Sequence, residues 1–124
     1  MALITLSYVD ILGEKNEKKE LAFSSDLLPS GINTQSLFVI KVDGESMQPV
    51  IRDRALVVAD LSQVAVVDQG VYLLDYENNM WIKKAEEDDE GMRFVSINDD
   101  YAHLVYEADD VRVIAKAVLT FTSL

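Results

Sequence analysis

The pattern of hydrophobic and polar positions divides this chain near residue 37. Beyond that point, short apolar runs alternate with segments of polar and turn-forming residues. Runs of this kind, bounded by Gly, Asn, Asp and Ser, are typical of β-strands. The predicted strands cover residues 37–42, 55–59, 64–67, 70–76, 80–83, 92–97 and 111–121. No segment shows helical periodicity over ten or more residues, so the pattern predicts a mainly β domain, built as an antiparallel sandwich or a partly rolled sheet.

The first third of the chain has a different pattern. Residues 13–20 form a run of mixed charge without a core-forming side chain, which usually indicates a solvated loop. Residues 21–29 suggest a short turn or a single helical turn, and 29–33 a loop. We therefore expect a flexible N-terminal arm over residues 1–36 and one β domain over residues 37–124. Within that domain, residues 77–79 and the acidic segment 86–91 are predicted hairpin turns.

Composition narrows the class of protein. With 22 acidic and 11 basic residues, the chain has a net charge of −11, which argues against direct binding of nucleic-acid phosphates. The absence of cysteine excludes disulfides and thiolate metal sites. No apolar run is long enough to span a membrane, and the first residues lack the pattern of a signal peptide. We expect a cytoplasmic protein that does not bind membranes.

Two residues stand out as candidate chemistry. Ser46 follows Gly44 in a turn after the first predicted strand, and Lys83 lies in an apolar strand 37 positions later. A serine hydroxyl needs a nearby base to act as a nucleophile, and lysine can be that base only if burial lowers its pKa. Strand alternation places Trp81 and Lys83 on one face and Lys84 on the other. Taken alone, these residues favour a structural interpretation, because serines in glycine turns are common and strand lysines usually reach solvent.

Four segments, in order, resemble the C-terminal domains of LexA and phage repressors over about residues 37–118. Val42-Asp43-Gly44-Glu45-Ser46-Met47-Gln48-Pro49 resembles their nucleophile motif, and Trp81-Ile82-Lys83-Lys84 resembles the strand that carries the base. Gly70-Val71-Tyr72 resembles a strand start of this family, and Ser96 to Tyr101 resembles its Ser-x-Asn-x-x-Tyr turn. The resemblance implies a self-cleaving peptidase that needs no cofactor or metal. Ser46 would be the nucleophile, Lys83 the general base, and the backbone N–H groups of Ser46 and Met47 the oxyanion hole.

The resemblance also implies a cleavage site in the arm. Family members cut a bond between a small residue and glycine, and the glycine at the matching distance here is Gly13, which gives Leu12-Gly13. Leucine is bulkier than the usual residue at this position, which leaves three alternatives open: slow cleavage, blocked cleavage, or cleavage elsewhere. A second departure is Asp53-Arg54-Ala55, where the family commonly has Asp-Gly-Asp.

The resemblance suggests three possible roles. The first is the regulatory domain of a LexA-like or prophage repressor in the DNA-damage response. It would form a homodimer, be triggered by a recombinase filament on single-stranded DNA, and reach operator DNA only through a helix-turn-helix domain absent from this sequence. The second is a UmuD-like accessory subunit of an error-prone polymerase, and the third is a dimerisation module with an inactive dyad. His103 has no metal partner at useful spacing, and Glu45 is a turn carboxylate, so neither is assigned a catalytic role.

Overall fold

The computed structural model describes residues 2–10 and 16–124, which form two antiparallel sheets. The smaller sheet pairs two strands, and the larger one contains seven in the order β3-β4-β9-β5-β6-β7-β8. The larger sheet is open, because its edge strands β3 and β8 do not pair with each other. The strands are β1 (Leu3–Asp10), β2 (Glu17–Ser24), β3 (Leu37–Lys41), β4 (Leu56–Asp60), β5 (Val71–Tyr76), β6 (Asn79–Asp88), β7 (Gly91–Val95), β8 (Val105–Glu107) and β9 (Arg112–Phe121). The mainly β, antiparallel prediction is confirmed.

Six of the seven predicted strands are present, and the prediction for residues 64–67 is wrong. Val64 and Val67 are half exposed and belong to no strand. The buried Tyr72 hydroxyl accepts a hydrogen bond from the Val67 N–H at 2.9 Å and donates one to the Ala65 carbonyl at 3.3 Å. This side chain therefore uses backbone groups that a strand would pair with a neighbouring strand.

The two predicted hairpin turns have different outcomes. Glu77 and Asn78 both have positive φ, at 49° and 66°, as a tight two-residue turn between β5 and β6 requires. The acidic turn is shorter than predicted, since β6 continues to Asp88 and pairs with β7 as far as Gly91. The short strand β8 was not predicted.

The N-terminal segment contains a hairpin, so the interpretation of residues 13–20 as a loop is wrong for residues 17–20, which begin β2. In β1, alternate residues are partly buried, and Ile4 and Leu6 pair with Phe23 and Leu21 of β2. These side chains pack on Leu37, Val39, Val58 and Phe121 of the larger sheet. The apolar pairs at Leu21 and Phe23 lie next to the charged residues 17–20, which continue the strand by pairing with residues 7–10 of β1. A division into arm and domain at residue 36 stays a prediction.

Strand β4 is the centre of the core. Val57, Val58 and Ala59 are fully buried, and they contribute to apolar clusters on both faces of the sheet. One cluster receives the hairpin, and the other contains Met47 and Ile51 from the connection between β3 and β4. The core therefore fixes the position of the segment that carries Ser46.

Arg54 occupies the left-handed region of backbone space, with φ of 70°. For a residue other than glycine, this conformation costs roughly 1–2 kcal/mol. Replacing it with glycine and, separately, with alanine removes the same side chain, but only glycine relieves the backbone. We expect the free energy of unfolding of Arg54→Gly to exceed that of Arg54→Ala by about 1 kcal/mol in urea denaturation. Equal stability of the two variants would contradict this account of the turn.

Candidate active site

Ser46 lies in the connection between β3 and β4, which is closed at its base by backbone hydrogen bonds. The Val42 N–H donates to the Ala55 carbonyl at 2.8 Å, and the Arg54 N–H donates to the Val42 carbonyl at 2.9 Å. Gly44 has φ of 122°, a conformation that favours glycine, and its N–H donates to Asp53 Oδ1 at 2.8 Å. These contacts hold the turn in one conformation.

Three further hydrogen bonds fix the position of Ser46 within this turn. The next residue, Met47, is 2% exposed in the core, and its carbonyl accepts from the N–H of buried Ile51 at 3.0 Å. From the other side, the Asn98 side-chain amide donates to the Glu45 carbonyl at 2.9 Å, and its backbone N–H donates to the Ser46 carbonyl at 2.9 Å. Asn98 belongs to the turn after β7, which the resemblance had marked without assigning it a role.

Lys83 lies in the middle of β6, opposite Tyr72 of β5, and is 0% exposed. Its Nζ donates a hydrogen bond to Ser46 Oγ at 2.8 Å. The same Nζ lies 5.7 Å from the centre of the Trp81 ring, as expected for residues two apart on one strand face. Lys84 is more exposed and pairs with Glu86 at 3.1 Å. The prediction from alternation is confirmed, and the two candidate residues are in direct contact.

Burial changes the chemistry of Lys83. Removal from water penalises the charged form and lowers the pKa of Lys83 from 10.5 to about 8. At pH 7 a lysine with this pKa is neutral in roughly one molecule in ten, compared with well under one in a thousand for an ordinary lysine. The amine can therefore accept a proton near neutral pH, and a hydroxyl to donate one is in hydrogen-bonding contact.

Ser46 opens onto a cleft of about 520 Å³. One wall is formed by Trp81, whose ring stacks on Tyr106 with 6.3 Å between centroids. Lys41 and Asp43 also line the cleft. Its apolar lining includes Ile40, Val42, Met47, Met80, Ile82 and Leu104. A cleft of this size, in which apolar side chains lie beside charged ones such as Lys41, Asp43 and Glu45, is suited to a short peptide segment.

The other residues predicted for the site differ in how far the structure describes them. In the described part of the chain, no hydrogen bond uses the backbone N–H of Ser46 or Met47. Glu45 and His103 are exposed. Leu12 and Gly13 lie outside the described residues.

Among residues 2–10 and 16–124, no group of His, Asp or Glu is arranged to hold a metal, and no helix has the length and apolarity to cross a bilayer.

Comparison with known proteins assigns the chain to a family. A family model described as Peptidase S24-like matches residues 8–118, a range that includes most of the hairpin, the Ser46 turn, and strands β3 to β8. No curated protein sequence matches the chain.

Proposed function

Since the chain belongs to the Peptidase S24-like family, whose members are self-cleaving serine peptidases, we propose that Ser46 and Lys83 are a catalytic dyad that cuts this chain itself. The observation that carries the proposal is the 2.8 Å contact between Ser46 Oγ and the Nζ of a fully buried lysine. A buried lysine with a lowered pKa, in contact with a hydroxyl at a cleft, has the properties of a general base.

The geometry supports acyl transfer in two stages. Neutral Lys83 accepts the Ser46 proton while Oγ attacks the carbonyl carbon, and the resulting oxyanion accepts hydrogen bonds from the N–H groups of Ser46 and Met47. The Lys83 ammonium then protonates the leaving amine as the C–N bond breaks, which leaves an ester on Ser46. Lys83 next takes a proton from water, whose oxygen attacks the ester, and the proton returns to Ser46 as the carboxylic acid product leaves.

The bond proposed for cleavage is Leu12–Gly13, in the connection between β1 and β2. Support comes from the placement of this hairpin, because β1 packs beside β3 and Ile40 and Lys41 of β3 line the cleft that contains Ser46. The apolar lining of the cleft is compatible with a leucine side chain on the acyl side of the bond.

In this proposal the chain is the regulatory domain of a LexA-like or prophage repressor of the DNA-damage response in the cytoplasm. It forms a homodimer, and a recombinase filament on single-stranded DNA triggers its cleavage. A separate helix-turn-helix domain contacts the operator. The net charge of −11 supports the assignment of operator contact to a separate domain, since this domain itself would be repelled by DNA phosphates.

Asn98 gives a test of how the nucleophile is positioned. In Asn98→Ala, the side-chain bonds to the Glu45 carbonyl and from the Asp100 N–H are lost, and the backbone bond to Ser46 remains. We expect self-cleavage to slow by roughly 10- to 100-fold, because small displacements of a reacting group have large kinetic effects. The pH midpoint of the reaction should not move, since Lys83 stays buried. An unchanged rate would show that the Asn98 side chain is not needed to position Ser46.

The proposal is tested by incubating the purified chain at about pH 9, where Lys83 is mostly neutral. The mass of the chain is followed over time at several protein concentrations. We expect two fragments, residues 1–12 and 13–124, formed with a first-order rate constant that does not depend on protein concentration. A rate that falls with dilution would indicate cleavage between molecules. A chain that stays intact would indicate a module with an inactive dyad.

A further inference from the structure

Asp10, the last residue of β1, is a buried carboxylate outside the dyad. It is 3% exposed, although carboxylates are seldom buried unless they are paired. Its Oδ2 accepts hydrogen bonds from Lys41 Nζ at 2.9 Å and from Lys19 Nζ at 3.1 Å. The hydrogen bond and charge of Asp10 raise the pKa of Lys19, so the charged forms of carboxylate and ammonium support each other.

The two lysines connect Asp10 to different parts of the molecule. Lys19 belongs to β2, directly beside β1, so this pair lies within the hairpin. Lys41 ends β3, the edge strand of the larger sheet, and lines the cleft that contains Ser46. The pair between Asp10 and Lys41 therefore joins the end of β1 to the wall of the cleft.

Apolar contacts hold other positions of the hairpin, but these positions lie earlier in β1 than Asp10. Ile4, Leu6 and Tyr8 pack in the cluster around Val39 and Val58, whereas Val9, next to Asp10, is 54% exposed. At the end of β1 nearest the proposed cleavage site, a charged contact takes the place of a hydrophobic one. Leu12 follows Asp10 by only two residues, so the position of Asp10 limits how far the Leu12–Gly13 bond can lie from the cleft.

We propose that Asp10 is a positioning residue, which holds the end of β1 against Lys41 so that the Leu12–Gly13 bond is presented to Ser46 of the same molecule. This inference rests on the proposed self-cleavage. It assigns Asp10 no contact with the reacting atoms. It predicts that the ion pair matters for cleavage within one molecule and not for the chemistry of the dyad.

The test compares two reactions of the full-length chain at about pH 9: its own cleavage, and cleavage of an added isotope-labelled peptide with the sequence of residues 7–18. In Asp10→Asn, which keeps the shape and removes the charge, we expect self-cleavage to slow at least about 10-fold and peptide cleavage to change less than about 2-fold. Lys19→Met is the matched control, because it removes an ion pair of the same carboxylate but leaves the contact with Lys41. It should slow self-cleavage much less than Asp10→Asn.

Lys41→Met breaks the same contact from the other side and serves if Asp10→Asn does not fold. Because Lys41 lines the cleft, the ratio of self-cleavage to peptide cleavage is the readout, and it should fall as in Asp10→Asn. Unchanged self-cleavage in folded Asp10→Asn, or an equal loss of both reactions, would overturn the role of Asp10 alone. A wild-type chain that cleaves neither itself nor the peptide would overturn the proposed function as well.

Discussion

Self-cleavage is expected to fall by at least about a thousandfold in Ser46→Ala and in Lys83→Met, because nucleophile and base act as one unit. Ser46→Ala removes the protein atom that bonds to the substrate carbon in the first stage of the proposed mechanism. Lys83→Met keeps the length and apolar character of the buried side chain but has no lone pair on nitrogen to accept the Ser46 proton. The rates are measured from the mass of the chain over time at about pH 9, with both variants checked for cooperative unfolding.

Lys84→Met is the matched control for the base. Lys84 neighbours Lys83 on the same strand but faces the other way and pairs with Glu86. We expect it to cleave at nearly the wild-type rate, within about 2-fold, since its ion pair is partly exposed. Loss of activity in Lys84→Met but not in Lys83→Met would mean that Lys84, on the opposite face of β6, is the base. Cleavage of Ser46→Ala would exclude Ser46 as the nucleophile.

The same lysine should make the protein less stable at neutral pH. The pKa of Lys83 is about 8 in the folded protein and 10.5 in the unfolded chain. Below pH 8 both states carry the proton, and the folded state bears the full cost of a buried charge, about 3 kcal/mol at 1.36 kcal/mol per pKa unit. Between these two values the unfolded chain binds more protons than the folded one, so this cost disappears as the pH rises toward 10.5.

Lys83→Met removes this cost. We expect the variant to exceed the wild type in free energy of unfolding by about 2–3 kcal/mol at pH 6–7, and the difference to shrink as the pH approaches about 10. Urea denaturation of both proteins at several pH values measures it, and titration of other groups cancels in the difference. Ser46→Ala keeps the buried lysine and should show no such pH-dependent gain. A gain in Lys83→Met that does not vary with pH would mean that the pKa of Lys83 is the same in the folded and unfolded protein, so that burial does not lower it.

Much of the fold could be predicted because the larger sheet consists of short apolar runs separated by turn residues. The prediction failed where tertiary contacts override local pattern. Residues 64–67 have the composition of a strand, but Tyr72 uses their backbone groups. Residues 17–20 have the composition of a loop, but β1 pairs with them and the hairpin packs on β3. Strand β8, with three residues, is too short to give a periodic signal.

The candidate site could also be predicted only in part. Alternation along β6 was enough to predict that Lys83 and not Lys84 faces the protein interior, because a strand has only two faces. Contacts between distant segments leave no such periodic pattern in the sequence. Asn98 bonds to a turn 53 residues earlier in the chain, and Asp10 bonds to Lys41, 31 residues later. The Asn98 side chain also caps a short turn by accepting from the Asp100 N–H, and this local pattern is readable in sequence, whereas its contact with Glu45 is not.

The central claim, that Lys83 acts as the base for Ser46 in cleavage of this chain, is tested most directly by the pH dependence of the first-order rate of self-cleavage. The base must be deprotonated, so the rate should rise with pH and level off above a midpoint near the Lys83 pKa of about 8. The fragments should be residues 1–12 and 13–124 throughout. A midpoint near the ordinary lysine value of 10.5, or a rate that does not depend on pH, would contradict the account.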